Sequence, residues 1–276
     1  MKWLQFILSH SIFISFCAAA LCFQTHQLLN VTPHVIVYVL VFSSTLAGYN
    51  LYWLISKFYF SNRNIPLFFK KNISNFIVLF IASLSTLFCI LKLPYLIIYV
   101  LISAALTLLY SIPLWPISKK KYFPKIKGYL KTILLALTWT FSTVIIPAVG
   151  SDVDTSSIII LFIARFSFML MLCSIFDSRD IAVDKMHGLR SLATDVSAVK
   201  LRIIMLATFT AYIIAGILLR VNFTTQAHVV AFIITGLITL YVYFLSVKKR
   251  NYFFYYFLVD GLMLISSLLT FVASID

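Results

Sequence analysis

Apolar residues run along the chain in nine long stretches, each closed by a short polar or charged segment. A helix needs roughly 20 such residues to cross a bilayer. The stretches have about that length, at 3–23, 33–56, 73–91, 93–113, 130–149, 156–177, 199–219, 226–246 and 252–274. This pattern predicts an all-α integral membrane protein of about nine transmembrane helices, with residues 1–276 forming one polytopic domain. The alternating short segments of a β-barrel are not present. No connection is long enough for a separate soluble domain. The first stretch begins Met1-Lys2 and carries Ala18-Ala19-Ala20, as a signal peptide also would. Its long apolar run and the membrane domain behind it predict a retained helix.

Composition narrows this further. The chain is 62% hydrophobic and only 11% charged, whereas a soluble domain is closer to half apolar and a quarter charged. A net charge of +14 raises the question of nucleic acid, but the basic residues lie between the apolar stretches. The N-terminus and the connections after the second, fourth, sixth and eighth stretches carry 19 Lys and Arg. The other connections carry only Lys92 and Arg220. By the positive-inside rule, this asymmetry predicts a cytoplasmic N-terminus and an external C-terminus, in an inner or plasma membrane. The basic run from Ser118 to Lys131 predicts contact with anionic lipid headgroups; a sharper alternative gives some of its lysines a substrate phosphate. Cys17, Cys22, Cys89 and Cys173 lie in apolar stretches without metal-ligand spacing and read as small hydrophobes.

Every one of the eight acids is Asp, and three of them crowd together at Asp177, Asp180 and Asp184. Spacings of three, four and seven put them on one face of a helix. Stacked carboxylates near hydrocarbon repel strongly and call for a countercharge. Arg179 and Lys185 are close in sequence but point elsewhere around the helix. A hard divalent cation suits such a cluster, and Mg²⁺ commonly binds one or two carboxylates plus a substrate phosphate. The plainer alternative is a solvated acidic helix end with surface ion pairs.

The segment DSRDIAVDKMHGLRSLAT, residues 177–194, resembles the second Asp-rich motif of the UbiA-type membrane prenyltransferases. LLYSIPLWPISKKK (108–121) is similar to that family's Tyr-Ser-x-Pro segment before a basic loop, and GYLKTILLALTWTF (128–141) to its next helix. The resemblance covers nearly the whole chain. It implies a helical bundle around a central cavity and a prenyl group moving from an isoprenoid diphosphate to an aromatic or other lipophilic acceptor. It also implies Mg²⁺ at Asp177, Asp180 and Asp184. The family's first motif is an Asn followed by carboxylates four and eight residues later. Here AGYNLYWLISKFYF (47–60) supplies Asn50, but the acids fall on Leu54 and Phe58. Lys57 lies on the same helical face, where an ammonium could partly replace a metal against a diphosphate. Its plainer reading is an orientation charge at a helix end.

The candidate diphosphate contacts are therefore Asn50, Lys57, Lys119 and Arg190, with Tyr110 beside the cavity. Arg165 and Asp260 lie at membrane depth, where each needs a polar surrounding or a partner, and they are candidates to pair with one another. No catalytic residue is assigned. No Gly-rich phosphate loop, nucleophile elbow or HExxH motif is present. An enzyme is one reading; a non-catalytic homologue that binds a polyprenyl or quinone-like lipid, or assists a partner, is the other. A secondary transporter ranks last, because no inverted repeat is visible.

Overall fold

The structure is a computed structural model that describes residues 2–32, 34–59, 65–111, 128–187, 190–220, 224–248 and 250–275. The described residues are mostly helical, and none of them forms a strand. In chain order the helices are α1 (Lys2–Ser9), α2 (Ile12–Leu28), α3 (Val35–Tyr59), α4 (Ile65–Lys71), α5 (Ile73–Lys92) and α6 (Ile97–Ser111). There follow α7 (Gly128–Thr140), α8 (Ile146–Ala148), α9 (Thr155–His187), α10 (Leu192–Asp195), α11 (Ala198–Leu219), α12 (Gln226–Ser246) and α13 (Asp260–Ala273). Eight described helical segments are long and apolar enough to cross a membrane, and the bent pair α1 and α2 makes nine. Large apolar side chains on the outer faces, such as Phe80, Leu84, Leu91 and Leu101, are exposed. The protein is an integral membrane protein.

Two interruptions show how a polar backbone is satisfied where water is absent. The first stretch is not straight: α1 and α2 meet at 67°. Ser11 adopts a left-handed backbone conformation at the break. The bend frees the His10 carbonyl from its helical partner, and Asn50 Nδ2 donates to it at 2.9 Å. Pro147 in α8 has no N–H for the carbonyl of Thr143, four residues earlier. A π-helical turn, Phe141–Ile145, absorbs the mismatch, and the Thr25 hydroxyl donates to the Thr143 carbonyl at 2.6 Å. An unsatisfied carbonyl in hydrocarbon costs several kcal/mol, so such side-chain donors are needed.

The core is centred on α9, with Phe168, Met171 and Ile175 almost completely buried. It packs against α7 and α11, while α2 packs on α3 and α13. At its C-terminal end α9 continues ten residues beyond the predicted 156–177, so the three Asp residues sit on one unbroken helix. The short helix α10 closes the Asp-rich segment. It docks on α7 and α9. Gly128 N donates to Asp195 Oδ2 at 2.7 Å, and a Cβ at Gly128 would overlap the backbone of Ser191. Gly128→Ala must therefore push α10 away. A loss of roughly 1–3 kcal/mol is expected from overpacking, measured as a lower Tm with faster proteolysis around residues 188–197.

Candidate functional site

A cavity of about 750 Å³ lies among α1, α2, α3, α7, α9 and the segment leading into α13. Helical spacing builds its walls. Residues 49, 52, 53, 56 and 57 form one face of α3; 131, 135 and 139 one face of α7; and 169, 172, 173, 176, 177, 180 and 184 one face of α9. Along α9 the lining changes from Met169 and Leu172 to the three carboxylates. The cavity thus has an apolar, aromatic part beside Tyr49 and Trp139 and a charged part where α3 and α9 end and α7 begins. Trp139 Nε1 donates to the Tyr49 hydroxyl at 3.1 Å, which fixes both rings. A π-helical turn, Phe254–Val259, precedes Asp260, and such turns often occur at functional sites.

Of the expected site residues, Lys57, Tyr110, Asp177, Asp180, Asp184 and Asp260 line this cavity. Lys119 lies outside the described residues. Asn50 does not line it: fully buried, it joins the α1–α2 bend to α5. Its two amide hydrogens go to the carbonyls of His10 and Leu46, and its oxygen accepts from Asn75 Nδ2 at 3.2 Å. Arg190 is half-exposed and paired with Asp195 at 2.8 Å, outside the cavity wall. Arg165 and Asp260 form no ion pair. Arg165 faces a separate small cavity, whereas Asp260 faces the large one. The spacing on a single helix could not reveal how α9 and α13 rotate against each other.

The three carboxylates have different surroundings. Asp177 Oδ2 accepts from Thr132 Oγ1 at 2.5 Å and from Leu192 N at 3.1 Å, so it ties α10 to α7 and α9. Asp180 is clamped by Arg179, with both guanidinium–carboxylate distances 2.7 Å. Arg179 was expected to point elsewhere around the helix. Its long stem instead curls back, and its guanidinium sits 5.0–5.1 Å from the rings of Phe176, Tyr255 and Tyr256. That cation–π cage holds it against the cavity wall. Asp184 is buried. No three His, Cys or Asp side chains among the described residues are arranged to hold a metal ion.

The facing wall is cationic rather than acidic. Leu54 is packed in the core at 5% exposure, and the Phe58 ring lies edge-on to Phe68. Lys57 reaches Asn72 and Asn75 with long contacts of 3.4 and 3.5 Å. Lys131, the last charge of the basic run for which a substrate phosphate was the sharper alternative, lines the cavity from α7. It makes no hydrogen bond or ion pair with another described residue. Its place in the 131, 135, 139 register was the signal that could have found it. Arg250 adds a fourth basic side chain to the lining.

No family model matches the sequence, and neither does any curated protein. Solved structures do. The apo structure of a UbiA homologue from Aeropyrum pernix K1 aligns over 94% of this chain and 98% of its own, with a TM-score of 0.68 at 15% identity. The chain has a UbiA-type fold. A second match, from a structural study of digeranylgeranylglyceryl phosphate synthase in membranes, covers 100% of this chain and 99% of its own, with a TM-score of 0.62 at 17% identity. On this UbiA-type bundle the large cavity is enclosed by helices from both halves of the chain.

Proposed function

We propose that the cavity takes up an isoprenoid diphosphate and that the protein transfers the prenyl group to a lipophilic acceptor in the membrane. The observation that carries this reading is the union, in one cavity, of an aromatic interior with a mouth lined by Lys57, Lys131 and Arg179 from three helices. One of the two structures similar in fold is named for a digeranylgeranylglyceryl phosphate synthase, which agrees with such chemistry. With the cytoplasmic N-terminus that the charge distribution predicts, the charged mouth faces the cytoplasm and anionic lipid headgroups.

We read Asp177 and Asp180 as structural carboxylates rather than as ligands of the expected Mg²⁺. Asp177 is committed to Thr132 and Leu192, and Asp180 to Arg179. We therefore assign the diphosphate to basic side chains, led by Lys131 and Lys57. As the carbon–oxygen bond to diphosphate breaks, an ammonium beside the departing oxygens stabilises their charge. The aromatic walls shelter the allylic cation. A new bond to the acceptor then forms, and the acceptor gives up a proton. Asp260, 3% exposed on the cavity wall, is the carboxyl placed away from the α9 cluster to receive it.

The test incubates purified protein with radiolabelled geranylgeranyl diphosphate and a panel of phenolic, quinol and glyceryl-lipid acceptors, with Mg²⁺ and with EDTA. A prenylated product in EDTA is the expected outcome. Binding of the diphosphate without product from any acceptor supports the second reading, a non-catalytic lipid-binding homologue. The apolar residues Leu54 and Phe58, at the positions of the family's first-motif acids, favour that alternative. No binding under either condition defeats both readings.

A further inference from the structure

Arg165 sits in the middle of α9 with 3% exposure, well inside the membrane span. Its Nη2 donates to the Leu21 carbonyl at 3.2 Å and to Thr25 Oγ1 at 3.4 Å, both neutral acceptors. Its Nε is buried without any partner among the described residues. The two ion pairs formed among those residues are Arg179 with Asp180 and Arg190 with Asp195, so no carboxylate balances this charge. A guanidinium does not escape the difficulty by losing its proton. An isolated buried charge is costly unless it is paired. Beyond the Leu21 carbonyl and the Thr25 hydroxyl, the described residues supply no countercharge.

Beside Arg165 is a cavity of about 10 Å³, enough for one body the size of a water molecule. Its polar lining converges from four helices: Gln24 of α2, Arg165 of α9, Tyr212 of α11 and Ser266 of α13. Gln24 Nε2 is 3.0 Å from both the carbonyl and the hydroxyl of Ser266, which places α2 and α13 around the site. The hydroxyls of Tyr212 and Ser266 lie together at the cavity, hydrogen-bonded to one another, and Phe168 and Phe232 complete the lining. A guanidinium, hydroxyl groups and an apolar lining suit a weakly hydrated monovalent anion. A water molecule fits the space but leaves the charge unbalanced. We infer that this cavity binds one halide-sized anion, chloride in the native medium, as a structural counterion that joins α2, α9, α11 and α13. The site is separate from the large cavity and independent of the proposed reaction.

The experiment follows thermal unfolding of the detergent-purified protein while bromide replaces gluconate at constant ionic strength. A saturable rise in Tm is expected, roughly 3–6 °C at ten times the apparent Kd. Arg165→Gln should abolish the rise, whereas replacement of the exposed Arg220 by Gln should retain it. Should Arg165→Gln fail to fold, crystals of the unmodified protein grown in bromide decide the matter by an anomalous peak beside Arg165. No saturable response and no anomalous peak would overturn the inference, and an ordered water would then fill the cavity.

Discussion

Lys131→Met is expected to weaken binding of geranylgeranyl diphosphate by roughly 10- to 100-fold, in EDTA as well as in Mg²⁺. Met keeps most of the stem and its packing against α7 but removes the ammonium. A hydrogen bond to a charged group is worth about 1.5–3 kcal/mol, which corresponds to that range of affinity. Lys131 carries the effect because it has no hydrogen bond or ion pair to another described residue. Lys57 already contacts Asn72 and Asn75, so its loss should cost less. Asp184→Asn supplies the opposite sign. In a site that binds the anion through lysines, removing a nearby buried carboxylate relieves repulsion and tightens binding. At a carboxylate-held metal the same change would weaken it. Isothermal titration of both variants therefore separates the two arrangements, and weaker binding by Asp184→Asn would sink the metal-free assignment.

The second large effect is on stability. Asp177→Ala removes the acceptor shared by the Thr132 hydroxyl and the Leu192 amide. It leaves Leu192 N only the Thr132 hydroxyl oxygen at 3.2 Å, and the Thr132 hydroxyl only the Gly128 carbonyl at 3.4 Å, where α10 docks on α7 and α9. Two hydrogen bonds to a carboxylate, each worth about 1.5–3 kcal/mol, predict a loss of roughly 3 kcal/mol or more. Asp177→Asn keeps an acceptor oxygen of the same shape and should lose about 1 kcal/mol. Thermal unfolding without ligand measures both, and the large loss must appear with no metal or diphosphate present. A ligand-free Tm unchanged in Asp177→Ala would mean that the residue does not hold α10.

The predicted spans agree with the described helices because a bilayer imposes a nearly one-dimensional rule. Each span must be apolar over about 20 residues and must satisfy its own backbone. That rule is local, so it can be read from one stretch at a time. The face of α9 that carries Asp177, Asp180 and Asp184 was legible for the same reason, since helical periodicity needs no partner. Partners were not legible. Asn50 looked like a ligand-holding residue until the bend at Ser11 exposed the His10 carbonyl to it. Arg179 was discounted by its helical angle, yet its long stem and three rings from two helices bring it onto Asp180. Arg165 and Asp260 both lie within apolar spans but open onto different cavities. In each case the deciding quantity was the rotation and distance between helices far apart in the chain. The apolar pattern, the charge bias and the Asp-rich motif were properties of the sequence by itself. Which charges meet, and which stay available for a ligand, was decided only by packing, because pairing energies fall off over a few ångströms that no linear spacing specifies.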